Sequence, residues 1–131
     1  AAICNDRYQS KNIVAGADAD KQDYLNKADI VLNTGAAGIQ LMSDENIQMS
    51  SNLKICADTN AVPPSGIAGV DVMDSGKIME KSPNKCRGIG ALAIGNVKYK
   101  SQHECLKLMY TSDDPVYLDF EDAFKFAQKS V

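Results

Sequence analysis

The segment ADIVLNTG, residues 28–35, decides the fold class of this chain. It is a compact apolar run closed by Asn-Thr-Gly, which is typical of a strand buried on both faces of a parallel sheet. The segment LKICADTN, residues 53–60, repeats the pattern. Between the two, Ser43 can cap a short helix over residues 44–49. Strand, helix and strand in this order predict an α/β fold.

Further elements alternate in the same way along the chain. IGALAIG, residues 89–95, predicts a third apolar strand, and the segment from Gln102 to Tyr110 predicts a helix. Residues 66–87 are rich in glycine and charge and predict a long surface excursion. Pro63 and Pro64 exclude regular structure before it.

Helices are also predicted near both ends of the chain. Residues 1–9 have the pattern of a helix whose Ile3 and Tyr8 face inward, and residues 11–16 follow as a short extended piece. Asp20 is the predicted N-cap of the next helix. The last helix is the clearest, with Asp119 as N-cap and apolar residues at 120, 123, 124 and 127.

The three predicted strands would form a small parallel sheet, and a sheet of this size would leave an edge exposed to solvent. One long apolar edge would stay unpaired, which native proteins avoid. The first residues also have the pattern of the last turns of a helix. We therefore expect the C-terminal part of a larger α/β protein. The predicted fold is thus the C-terminal part of a parallel sheet with flanking helices, plus C-terminal helices.

Composition excludes several classes of function. The chain has 131 residues, a net charge of −3, 24% charged residues and only 6% aromatic residues. A basic stripe for phosphates and aromatic platforms for bases are both missing, so we expect no nucleic-acid partner. The longest apolar runs are far below the roughly 20 residues that cross a bilayer, so we expect no membrane partner and a cytoplasmic protein.

The cysteines do not form a recognisable metal or disulfide pattern. Cys4, Cys56, Cys86 and Cys105 include no Cys-x-x-Cys pair, and separate reduced thiols are the natural interpretation. Cys86 and Cys105 could join the single histidine, His103, as zinc ligands, but that spacing is unusual and a fourth ligand is unassigned. We therefore predict no metal site and a surface position for His103.

A glycine motif near the third predicted strand needs a separate explanation. Gly88-x-Gly90-x-x-Ala93 has the residue spacing of a dinucleotide-binding loop. A true phosphate loop follows its strand and opens a helix. Because these glycines precede the apolar run ALAI, we predict that they do not cradle a pyrophosphate.

Three segments carry a family resemblance over nearly the whole chain. They are LNTGAAGIQLMSDE at 32–45, ADTNAVPPSGIAGVDVMDSGK at 57–77 and GIGALAIGNVKYKSQH at 88–103. In this order and spacing they resemble the C-terminal half of the bacterial NAD(P)-dependent methylenetetrahydromethanopterin dehydrogenases. The most specific parts are NAVPPSGI and GALAIGNVKY.

The resemblance implies a function in one-carbon metabolism. Enzymes of this family are cytoplasmic homo-oligomers that oxidise the methylene bridge of a tetrahydromethanopterin-type C1 carrier to the methenyl form and pass hydride to NAD or NADP. By resemblance, residues 1–100 form the C-terminal part of an NAD(P)-binding Rossmann-like domain. Residues 101–131 form C-terminal helices that pack on, or return to, an N-terminal domain.

One departure from the family limits the expected activity. The Gly-rich phosphate loop and the N-terminal domain of the family both lie upstream of the region matched here. A missing N-terminal segment of the same enzyme is therefore an expected partner. We expect the isolated 131-residue chain to be inactive.

The strand-end loops supply the candidate cofactor residues. Ligands in open α/β sheets bind beyond the carboxyl ends of the strands. By position and by resemblance, the residues lining the ribose and nicotinamide would be Asn33, Thr34, Gly35, Ala36, Asp58, Asn60 and Ala61. In this assignment Thr34 and Asn60 hydrogen-bond the cofactor and Gly35 allows close backbone approach. The alternative is that these residues only form turns.

Lys98 is the candidate residue on the substrate side. It matches the first lysine of the family's Lys-x-Lys after the last strand. We expect it to orient the pterin, with Lys100 facing away from the cleft. The alternative for Lys98 is a solvated lysine at a helix start.

Two other functions stay open on the sequence. One is a methylenetetrahydrofolate dehydrogenase of the same layout. The other is a non-catalytic assembly or binding module derived from the fold, which would dock a partner through the unpaired sheet edge and the last helix.

Overall fold

Four strands form a single sheet in the computed structural model, which describes residues 1–130. They are β1 (Ile30–Asn33), β2 (Ile55–Asp58), β3 (Ser75–Ile78) and β4 (Arg87–Ile89), in the spatial order β1-β2-β4-β3. β1, β2 and β4 are parallel, while β3 pairs antiparallel with β4. The predicted α/β fold with a mostly parallel sheet is confirmed.

Within residues 1–130, five helices accompany the sheet. They are α1 (Ala2–Arg7), α2 (Lys21–Leu25), α3 (Asp44–Met49), α4 (Ala91–Thr111) and α5 (Phe120–Gln128), with a single 3-10 turn at Asp18–Asp20. α3 and α5 both begin with a complete capping box, from Ser43 and Asp119 respectively, as the sequence predicted. α2 begins after Asp20, but the Asp20 side chain makes no capping hydrogen bond.

The hydrophobic core lies on one face of the sheet. Val31 of β1 and Cys56 of β2 point into it, and α2 and α3 contribute Leu25 and Ile47. The other members come from loops or from the ends of strands: Ala28, Met42, Leu53, Ile67, Val70, Met79 and Cys86. Burial of this cluster is what holds α2 and α3 against the strands.

The prediction that β1 is buried on both faces is wrong. Ile30 and Leu32 point away from the core and are 55% and 72% exposed. Residues of a strand alternate between the two faces, so only Val31 and Asn33 of β1 face the packed side. β1 is thus covered on one face.

The predicted surface excursion over residues 66–87 is also wrong. It contains β3, and Ile67, Val70, Met79 and Cys86 are all at most 4% exposed. The glycines in this segment make tight turns between buried positions. Frequent turns hid the apolar spacing from the sequence.

The third predicted strand is placed too far along the chain. β4 covers Arg87–Ile89, and ALAIG, residues 91–95, forms the first turns of the 21-residue helix α4. The helix predicted from Gln102 to Tyr110 is the second half of α4. A four-residue apolar run fits a buried strand and a helix equally well, and the tertiary packing chose the helix.

The inward positions predicted for the first helix are wrong. α1 forms, but Ile3 and Tyr8 are 83% and 55% exposed. Arg7 places its guanidinium 5.0 Å from the ring centre of Phe120, at the start of α5. A cation over an aromatic face is attractive, so α1 meets the chain's last helix.

Candidate functional site

The loops after β1 and β2 meet at the carboxyl edge of the sheet. Asn33 pairs with Asp58 in the last position of the parallel register. Thr59 donates from its backbone N–H to the Asn33 carbonyl at 3.1 Å and from its hydroxyl to the same oxygen at 3.0 Å. Both predicted cofactor loops are thus brought together, as parallel strands require.

Asp58 is the centre of this edge. It is 1% exposed, and three N–H donors reach its carboxylate. The Asn33 side-chain amide donates to Oδ1 at 2.7 Å and the Asn60 backbone N–H donates to Oδ1 at 3.0 Å. The Ile67 backbone N–H donates to Oδ2 at 3.0 Å. One buried carboxylate therefore joins the end of β1, its own loop and the segment after the two prolines.

Asn60 also joins separate loop segments through its side-chain hydrogen bonds. Its Oδ1 accepts the backbone N–H groups of Val62 at 3.0 Å and Gly38 at 3.3 Å. Its Nδ2 donates to the Pro64 carbonyl at 3.0 Å. The side chain is only 6% exposed. Asn60 therefore fixes the loop after β1 against the turn that contains the two prolines.

Gly66 is required by the close approach of this network. A Cβ at Gly66 would overlap the Asn33 side-chain amide and lie 2.9 Å from Asp58 Oδ1. Its carbonyl accepts the N–H groups of Leu41 at 2.8 Å and Met42 at 3.0 Å. The sequence interpretation missed Gly66 and Ile67. Nothing local marks Gly66 as the neighbour of a side chain 33 positions earlier, or Ile67 as the donor to a carboxylate nine positions earlier.

The predicted site residues therefore fall into two groups. The polar side chains of Asn33, Asp58 and Asn60 are buried and already hydrogen-bonded to the protein. Thr34, Ala36 and Ala61 are exposed. Gly35 is half-buried, with its N–H donating to Asn33 Oδ1 at 3.2 Å. The first group can position a ligand-binding surface, and the second can form it.

The surface between these loops offers backbone donors. Within residues 1–130, the N–H groups of Ala36 and Ala37 make no hydrogen bond. Both are part of the turn that the bond from Ile39 N–H to the Ala36 carbonyl closes, at 3.2 Å. Unpaired N–H groups at the carboxyl edge of a parallel sheet can bind the polar groups of a ligand.

The glycine motif at Gly88 and Gly90 is not free for a phosphate. Gly88 lies within β4 and Gly90 is the residue that precedes α4, so the motif does run from a strand into a helix and the order argument made from the sequence is wrong. Other contacts, however, oppose a phosphate at this point. The Gly90 N–H donates to the Asp74 carbonyl and the Leu92 N–H donates to the Val72 carbonyl, at 2.8 and 2.9 Å. A Cβ at Gly90 would overlap the Asp71 carbonyl oxygen. The start of α4 is thus closed by the 71–74 loop instead of open to an anion.

Lys98 lies on the second turn of α4. It is exposed and borders a groove of about 620 Å³ between α4 and α5, together with Gln102, Phe120 and Phe124. Lys100 points to another side of the helix and donates to the Ser130 carbonyl at 3.3 Å. The two lysines point apart, as residues two positions apart do in a helix. That Lys98 faces a substrate cleft stays a prediction.

All four cysteines are free thiols, as predicted, but two of them are neighbours in the core. Cys56 and Cys86 are fully buried, with their sulfur atoms 3.5 Å apart, while Cys4 is exposed. Burial, with the neighbouring thiol, raises the pKa of Cys56 far above its usual value, and burial raises the pKa of Cys86. Both thiols therefore stay protonated and unreactive in the folded protein.

The three residues considered as zinc ligands from the sequence do not lie together in the structure. Cys86 is in the core, whereas the His103 side chain is 63% exposed on α4, where its ring stacks on Tyr99. In the part of the chain that the structure describes, no group of three or more His, Cys, Asp or Glu side chains is arranged to hold a metal ion. Nor does any helix within residues 1–130 combine the length and apolar character needed to cross a bilayer.

Comparison with known proteins supports the resemblance seen in the sequence. No family model matches the chain. It is 41% identical over 103 residues to the NAD(P)-dependent methylenetetrahydromethanopterin dehydrogenase of Methylorubrum extorquens, covering 79% of this chain and 34% of that protein. It is also 35% identical over 112 residues to the bifunctional protein MdtA of the same organism, covering 86% of this chain and 37% of MdtA. The chain thus spans about a third of the length of these curated relatives.

Proposed function

We propose that this chain is a portion of an NAD(P)-dependent oxidoreductase of one-carbon metabolism. The reaction is oxidation of methylenetetrahydromethanopterin to the methenyl form, with hydride transfer to NAD or NADP. The observation that carries the proposal is the 41% identity, over 79% of the chain, to a dehydrogenase with that cofactor and substrate in its name. The joined strand-end loops support it, because they stand where α/β proteins bind ligands.

The chain's residues fit one part of a nicotinamide cofactor. When bound, NAD or NADP supplies the hydride acceptor. Thr34, Ala36 and Ala61 form the exposed surface that contacts the ribose and carboxamide, through the Thr34 hydroxyl and the free backbone N–H of Ala36. Gly35 lets the cofactor approach the backbone closely. Asn33, Asp58 and Asn60 hold this surface in place.

The same residues do not fit the pyrophosphate of the cofactor. The Gly-x-Gly pair at the start of α4, Gly88 and Gly90, meets backbone carbonyls of the 71–74 loop instead of open space. A phosphate cradle therefore has to come from outside these residues. For this reason we propose that the 131-residue chain alone binds the cofactor weakly and has no turnover.

Lys98 is proposed to act on the carrier instead of on the cofactor. Hydride loss from the methylene group leaves a cation spread over two nitrogens, so an ammonium beside that carbon would oppose the reaction. The Lys98 ammonium is instead suited to donate to an oxygen or nitrogen of the pterin and so to orient it. Its position on the open groove next to Phe120 and Phe124 supports this role.

The larger assembly is proposed on the same basis. Residues 1–100 belong to the cofactor domain, and residues 101–131 pack on an N-terminal domain that precedes them, with the carrier between the two. Half or more of the Phe120 and Phe124 surface is exposed, at 50% and 62%, which supports a missing packing partner for α5. We propose a cytoplasmic homo-oligomer, as in the family that the sequence resembles.

A chimera tests the proposed function. In it, residues 1–131 replace the matched segment of the Methylorubrum extorquens dehydrogenase, which serves as the active control. Formation of reduced nicotinamide is measured with methylenetetrahydromethanopterin or methylenetetrahydrofolate, and with NAD or NADP. We expect activity with the methanopterin carrier and none from the 131-residue chain alone. A folded chimera that is inactive with this carrier would contradict the proposal.

The two lysines give a matched pair within that chimera. Lys98→Ala should lower kcat/KM for the carrier at least about tenfold, the equivalent of about 1.4 kcal/mol. It should leave the KM for the nicotinamide cofactor unchanged. Lys100→Ala should change neither value by more than about twofold. Equal losses in the two variants would remove the role assigned to Lys98.

A further inference from the structure

The groove between α4 and α5 holds a free amide beside the Lys98 ammonium. The polar residues that line the groove are Lys98, Ser101 and Gln102, and the others are apolar. Ser101 is buried, and its hydroxyl donates to the Val97 carbonyl at 2.9 Å. Gln102 is exposed, and its side-chain amide makes no hydrogen bond within residues 1–130. Two polar groups, the ammonium and the amide, are therefore free to bind a ligand in the groove.

The helix sets the spacing of these two groups. Lys98 and Gln102 are four positions apart on α4, so they lie on one face of the helix with their Cβ atoms roughly 6 Å apart. Phe120 and Phe124 line the same groove from α5. Aromatic side chains pack favourably against another flat ring. The groove thus offers an apolar surface to a flat ring and two polar groups to the edge of that ring.

The amide can make contacts that the ammonium cannot. A lysine ammonium only donates hydrogen bonds, whereas a glutamine amide both donates and accepts. A pterin carries an exocyclic amino group, which donates, next to a ring nitrogen, which accepts, and its oxo group is a separate acceptor. Asn and Gln side chains form two bonds of this kind with the amino group and a ring nitrogen of adenine. Among the described residues of the groove, Gln102 alone has a free group that does both.

We propose that Gln102 recognises the pterin ring of the carrier, by accepting from its exocyclic amino group and donating to the adjacent ring nitrogen, while Lys98 donates to the oxo group. This proposal rests on the proposed function in taking a pterin carrier as the ligand of the groove. It makes Gln102 a specificity-determining residue, because a ring with an oxygen in place of the amino group loses both bonds. Folate-type carriers have the same amino group, so Gln102 does not distinguish them from methanopterin-type carriers.

The contact should affect binding of the carrier more than the hydride transfer. The amino group is at the opposite end of the pterin from the methylene bridge that loses hydride. A hydrogen bond at that end is equally strong in the ground state and in the transition state. Its removal should therefore raise the KM for the carrier and leave kcat nearly unchanged.

Gln102→Met tests the contact in the chimera that carries residues 1–131 within the Methylorubrum extorquens dehydrogenase. Methionine has a similar length but lacks the amide. The Kd for methylenetetrahydromethanopterin, measured by calorimetry without cofactor, should rise at least about tenfold, and kcat should change by less than about threefold. Lys107→Met is the matched control, because Lys107 is exposed on α4 and lies outside the groove. It should change neither value by more than about twofold.

Two small probes test the proposed selectivity in the same chimera. They are 6-methylpterin and 6-methyllumazine, which has an oxygen in place of the amino group. The chimera should bind 6-methylpterin at least about tenfold more tightly, and Gln102→Met should bind the two probes within about threefold of each other. Lys98→Ala should keep the preference, because both probes have the oxo group. The Tm of Gln102→Met should stay within about 2 °C of that of the chimera, whereas a structural role would lower the Tm and weaken both probes equally.

The outcomes separate this proposal from the proposed function. An unchanged preference in Gln102→Met, or equal weakening of the two probes, would overturn the proposal even if the chimera is active. A folded chimera that binds neither the carrier nor 6-methylpterin would overturn it as well. A chimera that binds the carrier through Gln102 but forms no reduced nicotinamide would support this proposal and contradict the proposed function.

Discussion

The strand-end loops and the α4–α5 pair are the two regions that the proposed function needs, and they are built in opposite ways. In the loops, Asn33, Asp58 and Asn60 are buried and fully hydrogen-bonded within the chain. In the helix pair, Phe120 and Phe124 are half or more exposed.

This contrast shows which of the two regions is ordered by contacts within the chain. The loops hold their shape through their own hydrogen bonds, so they need no further element to be ordered. The α4–α5 pair presents an apolar face and one lysine toward a space that nothing within residues 1–130 fills. The proposed cofactor side is thus preorganised, whereas the proposed carrier side depends on packing that residues 1–130 do not supply.

The largest effect should come from removing the carboxylate that joins the loops. Asp58→Ala leaves the Asn33 amide and the N–H groups of Asn60 and Ile67 without their acceptor. Buried donors without partners are costly, so the free energy of unfolding should fall by about 3–5 kcal/mol. Urea denaturation of the 131-residue chain measures this loss.

Asp113→Ala serves as the control for that measurement. Asp113 is exposed in the connection between α4 and α5, so its loss should change stability by less than about 0.5 kcal/mol. If both variants lose the same stability, the hydrogen-bond network around Asp58 does not order the loops.

The four thiols should differ in reactivity, and the two buried ones should make stability depend on pH. A thiol-specific reagent should modify Cys4 and the half-buried Cys105 of α4 quickly in the native chain, and Cys56 and Cys86 only on unfolding. Burial raises the pKa of Cys56 and Cys86 above the usual 9.0, so the unfolded state binds fewer protons than the native state above that pH. Stability from these neutral thiols is fully present below pH 9.0 and is lost as the pH rises further.

The expected loss is up to about 1.4 kcal/mol per pH unit for each thiol. The double variant Cys56→Ala/Cys86→Ala removes both groups, so comparing its pH slope with that of the unmodified chain cancels the lysines and tyrosines. Parallel slopes above pH 9.0, or fast modification of Cys56 in the native chain, would show that this core is open to solvent.

The smallest effect should come from the exposed helix face. Phe124 is 62% exposed, so Phe124→Ser should change the stability of the 131-residue chain by less than about 0.5 kcal/mol. In the chimera, where we propose that α5 packs on another domain, the loss should reach about 2 kcal/mol. Tyr117→Ser, at a side chain that is 90% exposed, should have no effect in either protein. Equal effects of Phe124→Ser in the two proteins would contradict the proposed packing of α5.

Local patterns made much of the site predictable. The capping boxes at Ser43 and Asp119 involve residues three positions apart, so the sequence shows both partners at once. The strand-end turns could even have been predicted in more detail. Asp58 and Asn60 each accept an N–H two residues ahead, at 3.0 Å, which is the turn that Asx side chains favour.

The helical nature of ALAIG had a signal that a wider window could have detected. Ile94, Val97 and Ser101 follow each other at helical spacing and are all at least half-buried. Without the residues after Gly95, the apolar run ALAIG favours a strand. The burial of Ile67, Val70, Met79 and Cys86 had no comparable signal, because the turns between these residues break any period.

Local sequence patterns were enough to predict the α/β class, the strands β1 and β2, the caps of α3 and α5, and the resemblance to the dehydrogenases. These follow from contacts within a few residues or from motifs written in order along the chain. Only the tertiary structure decided that Asp58 holds Asn33 and Ile67, that Cys56 meets Cys86, that β3 joins the sheet, and that the 71–74 loop closes the start of α4. Each of these is a contact between positions far apart in the chain, and it forms only because burying the shared core brings those positions together.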